Sequence, residues 1–252
     1  MTTLGVLYPG FAAEADYPAG GRLVSPPVAA VVVHTAVDDN TNTVEDARRT
    51  GEIGRLLDGV HELRARCAAM HQRADAVLWA CTAGSFVFGL EGAREQARRL
   101  ADVAGVPATS TSLAFAEAAQ FMGLRRVAVA AIYPEEEAAL FGAFLAEVGI
   151  EVLSIDSAGI ADGSGGALLS ENEVVSFAIG ADRSTADAIF LPDTAVATMG
   201  CLERLEAAAG KPVLTANQVT LWHGLRLAGA YRQQAGLGAL FRVAAATVGA
   251  RT

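Results

Sequence analysis

The chain repeats itself, and that repeat restricts the fold more than any other feature. Residues 74–84 read ADAVLWACTAG and residues 186–196 read ADAIFLPDTAV, so Cys81-Thr82 and Asp193-Thr194 hold equivalent places 112 positions apart. Two further echoes keep the same order. Leu7-Tyr8-Pro9 returns as Ile132-Tyr133-Pro134 after 125 positions, and Ala104-Gly105-Val106-Pro107 as Ala209-Gly210-Lys211-Pro212 after 105. Around the Cys81 and Asp193 pairs, an apolar run of strand length stops abruptly at polar residues, and small residues then lead toward helix-compatible sequence.

A strand, a turn and a helix start, used twice, describe two related α/β lobes. At 252 residues the chain has room for two lobes of roughly 100 to 150 residues each. The boundaries expected are residues 1–110 with 216–252 for the first lobe and its C-terminal helices, and 111–215 for the second. Strands are predicted at Leu4–Tyr8, Val28–His34, Ala76–Ala80, Pro107–Thr109, Arg126–Ile132, Ile150–Ile155, Ala188–Leu191 and Pro212–Leu214.

Helical spacing covers Val44–Arg73 as one amphipathic helix, and the segment from the Cys81 edge to Ala104 as another. Further helices are expected at Ser112–Met122, Pro134–Val148, Glu171–Arg183, Thr198–Ala209 and Gln218–Gly229. Phe11–Pro27, with three prolines and two glycines, reads as a long loop forming a wall or lid. Ala158–Ser170, with its GSGG, reads as a flexible linker, and Asp38–Thr43 as a polar loop. Alternating strands and helices imply parallel sheets flanked by helices, with the active site in the cleft between pseudo-symmetric lobes, where the carboxyl ends of the strands gather.

Composition removes several function classes. A formal charge of −9 and a pI near 4.9 oppose nucleic-acid binding and an anionic membrane surface, because both need clustered Lys and Arg. A small carboxylate or dicarboxylate remains compatible, since backbone amides can hold one. No run of 18 apolar residues is present, and Met1-Thr2-Thr3-Leu4 lacks a signal-peptide pattern, so a cytoplasmic location is expected. Cys67, Cys81 and Cys201 are too few and too irregular for a disulfide framework or a zinc site. No metal and no cofactor is called for, and homo-oligomerisation is left open.

Cys81 sits where a strand hands over to a helix, so orphan amides and the helix dipole should lower its pKa and make it a nucleophile or base; the alternative is a buried cysteine that merely fills space. Cys67 lies on an amphipathic stripe and reads as packing. Asp193, in the matching place, can act as acid or base from the opposite side, or merely cap a helix. Thr82, Ala83, Gly84 and Ser85 offer hydroxyls and amides for a carboxylate or enolate oxygen. Tyr133 and Tyr8 stand at strand ends before prolines, where a phenol can donate to an oxyanion; Pro9 and Thr194 flank the same edges. Asn217 orients a substrate or caps a helix. Cys201 lies too far past Asp193 to reach the same point.

GVLYPG at Gly5, WACTAGSFVFG at Trp79, GLRRVAVAAIYPEE at Gly123, AIFLPDTAV at Ala188 and GKPVLTANQVTLWHGLRLAGA at Gly210 together resemble the Asp/Glu racemase superfamily. Within it they are similar to the branch of maleate cis-trans isomerases and arylmalonate decarboxylases. The resemblance implies two lobes around a cofactor-free site, with Cys81 as the first-lobe thiol, Thr82 beside it, and Tyr133 steadying a carboxylate. It also puts Asp193, not Cys201, where the second-lobe cysteine of that superfamily stands. The asparagine used by the isomerases has no counterpart in Gly10-Phe11-Ala12. The expected activity is an isomerase of the maleate type acting through an enolate-like intermediate; the alternatives are an arylmalonate decarboxylase-like lyase and a non-catalytic carboxylate-binding protein.

Overall fold

The computed structural model describes residues 1–244, in two four-stranded parallel sheets flanked by helices. The first sheet contains β1 (Thr3–Pro9), β2 (Ala29–Thr35), β3 (Ala76–Trp79) and β4 (Ala108–Ser110), in the order β2-β1-β3-β4. The second contains β5 (Arg126–Ala131), β6 (Glu151–Ser157), β7 (Ala188–Leu191) and β8 (Val213–Thr215), in the order β6-β5-β7-β8. The two orders are the same when each strand of the first sheet is matched to the strand four later. β3 and β7 are buried at every position because helices cover both faces, which is why they read as continuous apolar runs without alternation.

The helices are α1 (Asp16–Leu23), α2 (Val44–Thr50), α3 (Ile53–Ala69), α4 (Ala83–Phe86), α5 (Gly89–Ala104), α6 (Thr111–Met122), α7 (Glu135–Glu147), α8 (Glu171–Gly180), α9 (Leu202–Ala209), α10 (Ala216–Leu227) and α11 (Ala239–Arg242). α6 lies at the seam between the halves. Its Phe115 ring stands 5.4 Å from Phe141 of α7 and 5.2 Å from Phe190 of β7, so one hydrophobic core runs through both sheets. α10 packs against α6, β3 and β4. Among the described residues no helix is long and apolar enough to cross a membrane.

Several predicted elements are corrected. The segment Phe11–Pro27 is not a plain loop: it contains α1, whose Pro18 lies in the first turn, where a missing N–H costs nothing. Its glycines serve close packing. A Cβ on Gly20 would come within 2.6 Å of Leu221 and Met199, and one on Gly21 within 2.7 Å of the Val28 carbonyl. The single helix expected over Val44–Arg73 is two helices broken at Gly51 and Glu52, because Gly51 packs directly on the Gly84 carbonyl and a side chain there would fall on that oxygen.

The helix expected from Cys81 to Ala104 also breaks in two, at Gly89 with φ 67°. α9 starts four residues later than predicted. Thr198 and Met199 donate their amides to Asp16 at 2.7 and 3.2 Å, and Thr198 Oγ1 pairs with Thr215 Oγ1 at 2.8 Å, holding this stretch in turns. The presumed linker 158–170 holds a 3-10 turn at Gly165–Leu168 and is fastened to the loop after β2. Thr41 bridges Asp162, Asn42 donates its amide to Ala161 at 2.7 Å and its side chain to Ile160 at 2.8 Å, and Gly163 donates to the Asn40 carbonyl at 2.8 Å. A strap from each half therefore meets over the carboxyl ends of the strands.

Candidate functional site

Four strand ends converge on one cavity of about 70 Å³. β1 brings Tyr8 and Pro9, and the turn after β3 brings Cys81 and Thr82, followed by Ala83 and Gly84 at the start of α4. The residues just past β5 and β7 bring Tyr133, Asp193 and Thr194. The two polar pairs that mark the sequence repeat thus reach the same space, as do all but two of the predicted site residues.

Those two are Ser85 and Asn217, neither of which lines the cavity. Ser85 is fully buried, with its hydroxyl donated to Ser110 Oγ at 2.7 Å. The Asn217 amide donates to Asp16 at 3.0 Å and to the carbonyls of Thr194 and Val196 at 3.2 and 3.1 Å, while its oxygen accepts from Tyr17 at 3.0 Å. It anchors the segment behind Asp193. Cys201 is buried against the Thr198 carbonyl away from the cavity, and Cys67 lies in the smaller core cluster beneath α3.

The thiol is not activated in the way its position suggested. Cys81 Sγ accepts one amide, from Gly84 at 3.3 Å, but its pKa is pushed up to about 12 rather than lowered. Burial is the main cause, and the carboxyls of Asp193, Glu137 and Asp46 add to it. α4 is four residues long, and its one amide contact does not outweigh these effects. The proton stays on sulfur.

Asp193 caps no helix. Its Oδ1 accepts from the Ala195 amide at 2.6 Å within a turn, and burial raises its pKa to about 7. A thiol that keeps its proton and a carboxyl that titrates near neutrality therefore open on one cavity. Tyr133 Oη donates to the Pro192 carbonyl at 2.6 Å, and Thr82 Oγ1 donates to the same oxygen. Both hydroxyls were expected to hold a substrate oxygen; here they pin the backbone beside Asp193. Tyr8 Oη donates to the Thr194 carbonyl at 3.1 Å and accepts from the Ala13 amide at 3.0 Å, tying β1 to the same segment.

Sequence reasoning missed part of the wall. Asn40, Thr41 and Asn42 line the cavity from the strap, as does Gly163 from the opposite strap. Asp46, 3% exposed, accepts from the Thr41 amide at 2.9 Å. Glu137, 1% exposed, belongs to a run of three glutamates that reads as complementing the helix dipole. The missed signal was periodicity: Glu137 lies one turn before Phe141, on the inward stripe of α7. The cavity lining contains no Lys, Arg or His, and among the described residues no group of three acids, histidines or cysteines is arranged to hold a metal.

This doubled strand-edge site on two parallel sheets is the architecture of the branch of the Asp/Glu racemase superfamily that the motifs resemble. The chain belongs to the arylmalonate decarboxylase family, whose model matches residues 48–241. It is 28% identical to the arylmalonate decarboxylase of Bordetella bronchiseptica over 143 residues, a stretch covering 56% of this chain and 60% of that protein. The curated relative is thus spanned over less than two thirds of its length.

Solved structures share the fold over nearly the whole chain. A liganded arylmalonate decarboxylase, with one glycine changed to cysteine and one cysteine to serine, has a TM-score of 0.83 at 24% identity, covering 96% of this chain and 99% of its own. The maleate isomerase Iso of Pseudomonas putida S16 has a TM-score of 0.84 at 22% identity, covering 95% and 98%. A Nocardia farcinica maleate cis-trans isomerase mutant, holding a covalent succinylcysteine intermediate, has 0.83 at 20%, covering 96% and 98%. Decarboxylases and isomerases share this fold, and both are enzymes.

Proposed function

We propose that this chain is a cofactor-independent enzyme acting on a small carboxylic or dicarboxylic acid through an enolate-like intermediate, as an isomerase of the maleate type. The observation that carries the reading is the pairing of the Cys81 thiol with a near-neutral Asp193 carboxyl on one small cavity. In the forward step the Asp193 carboxylate takes the thiol proton as sulfur bonds to one alkene carbon of a cis-enedioate. The alkene electron pair moves onto the far carboxylate as an enediolate. Rotation about the new single bond and expulsion of sulfur then restore the alkene in the trans form, and the proton returns from Asp193 to sulfur.

The high thiol pKa suits such a concerted transfer, in which the thiolate is generated only with substrate present. A site walled by carboxyls still admits an anion, because Asp193 and Glu137 titrate at about 7 and about 8 and keep much of their protonated form near neutrality. The test follows maleate-to-fumarate conversion by proton NMR in wild type, Cys81→Ser and Asp193→Asn. Loss of turnover in Cys81→Ser by roughly 10³-fold or more is expected. Unchanged turnover there ends the mechanism.

A second reading, a decarboxylase, is favoured by the thiol resting protonated. Carbon dioxide would leave an enediolate, and Cys81 would deliver its proton to the α-carbon. Carbon dioxide released from substituted malonates, with solvent deuterium appearing at the α-carbon of the product, would select this reading over the first.

A further inference from the structure

Of the three carboxyls on the cavity wall, Asp46 has partners in the Thr41 amide and Arg49, and Asp193 has the Ala195 amide. Glu137 is different. It is 1% exposed, lines the same cavity as Cys81, Tyr133 and Asp193, and its Oε2 is buried with no hydrogen-bond partner. A buried carboxyl oxygen without a partner is costly, and such groups mark a place that something else completes. α7 fixes the position, because Phe141 one turn further on is buried against Phe86 and Phe115 and leaves Glu137 at the cavity end of the inward stripe.

We propose that Glu137 is a substrate-binding residue that receives a second carboxylate of the substrate, donating to it the proton of its own carboxyl group. The inference rests on the reading above that the cavity binds a carboxylic acid, and it assigns the residue that meets the second carboxylate of a diacid substrate. The chemistry of the lining supports it: with no Lys, Arg or His on the wall, a second carboxylate must be met by neutral donors. The groups facing Glu137 are Asp193 beyond β7, Asp46 on α2, Cys81 beyond β3 and Glu136 on its own helix. Burial and the charges of Asp193, Glu136 and Asp46 keep its proton on until about pH 8.

The test is calorimetric titration of the whole protein with succinate, butyrate and 4-aminobutyrate, using wild type, Glu137→Gln and Glu137→Ala. Wild type should bind succinate about tenfold or more tightly than butyrate. Glu137→Gln, which keeps a donor of the same shape, should retain that preference, and Glu137→Ala should lose it through weaker succinate binding. Raising the pH from about 6 to about 9 should weaken the succinate preference in wild type more than in Glu137→Gln, since only the former loses a proton there. Three results would overturn the proposal: an unchanged preference in Glu137→Ala, an equal loss in Glu137→Gln and Glu137→Ala, or tighter binding of 4-aminobutyrate than of succinate. Wild type binding neither acid would instead remove the carboxylic-acid reading on which the proposal stands. Should Glu137→Ala fail to fold, the pH comparison between wild type and Glu137→Gln decides alone.

Discussion

At the residue scale, the site is governed by where protons rest. With its thiol pushed up to about 12, Cys81 should react slowly with iodoacetamide at neutral pH, and its labelling rate should keep climbing beyond the range where an ordinary thiol levels off. Asp193→Asn removes one of the charges that hold the thiol up, so it should speed that labelling, as peptide mass spectrometry would report. Asp193 and Glu137 also link stability to pH. Folding raises them from 3.8 to about 7 and from 4.5 to about 8, so the folded state binds more protons than the unfolded chain between those values.

Their contribution is present below about pH 4 and disappears as the pH rises through about 8, amounting to on the order of 4 kcal/mol per group. The melting temperature should therefore fall across that window, and Asp193→Asn with Glu137→Gln should flatten the profile. Cys81, Thr82, Tyr133 and Asp193 were legible as cavity residues because a repeated strand edge marks them. Their protonation was not, since it depends first on burial, which no local pattern shows, and for Cys81 also on the carboxyls of Asp193, Glu137 and Asp46, which arrive from other parts of the chain.

At the scale of elements, strand positions could be read from apolar runs, whereas helix breaks could not. The apolar positions behind the single helix expected over Val44–Arg73, namely Ile53, Leu56, Leu57, Val60, Leu63, Cys67 and Met70, all lie past Gly51, and the contact with Gly84 explains why the chain turns there. Gly51→Ala should force α2 and α4 apart, destabilise the protein by about 1–3 kcal/mol and lower activity, because α4 carries Gly84, the amide donor to Cys81. Denaturant unfolding beside an activity assay would show both effects. Away from the cavity, Ser170→Ala removes the capping box at the start of α8 and should cost about 1 kcal/mol with activity intact.

At the scale of the whole molecule, two related lobes with parallel sheets were legible from three short echoes and the alternation of strands with helices, whereas the strand order came only with the structure. The meeting of the two straps was invisible in the sequence. It consists of hydrogen bonds from backbone amides and from the Asn42 side chain between segments some 120 residues apart, and polar loops carry no period from which such a contact could be inferred. Asn42→Ala removes the side-chain bond to Ile160 and should raise the apparent KM while leaving the melting temperature within about 1 °C, which steady-state kinetics and thermal unfolding would check together. The straps can also set a boundary on speed. Because Asn40, Thr41, Asn42 and Gly163 line the cavity, a substrate wider than its opening would need these two backbones parted, and for such a substrate the pace would pass from the chemistry at sulfur to the opening of a latch that touches none of the reacting atoms.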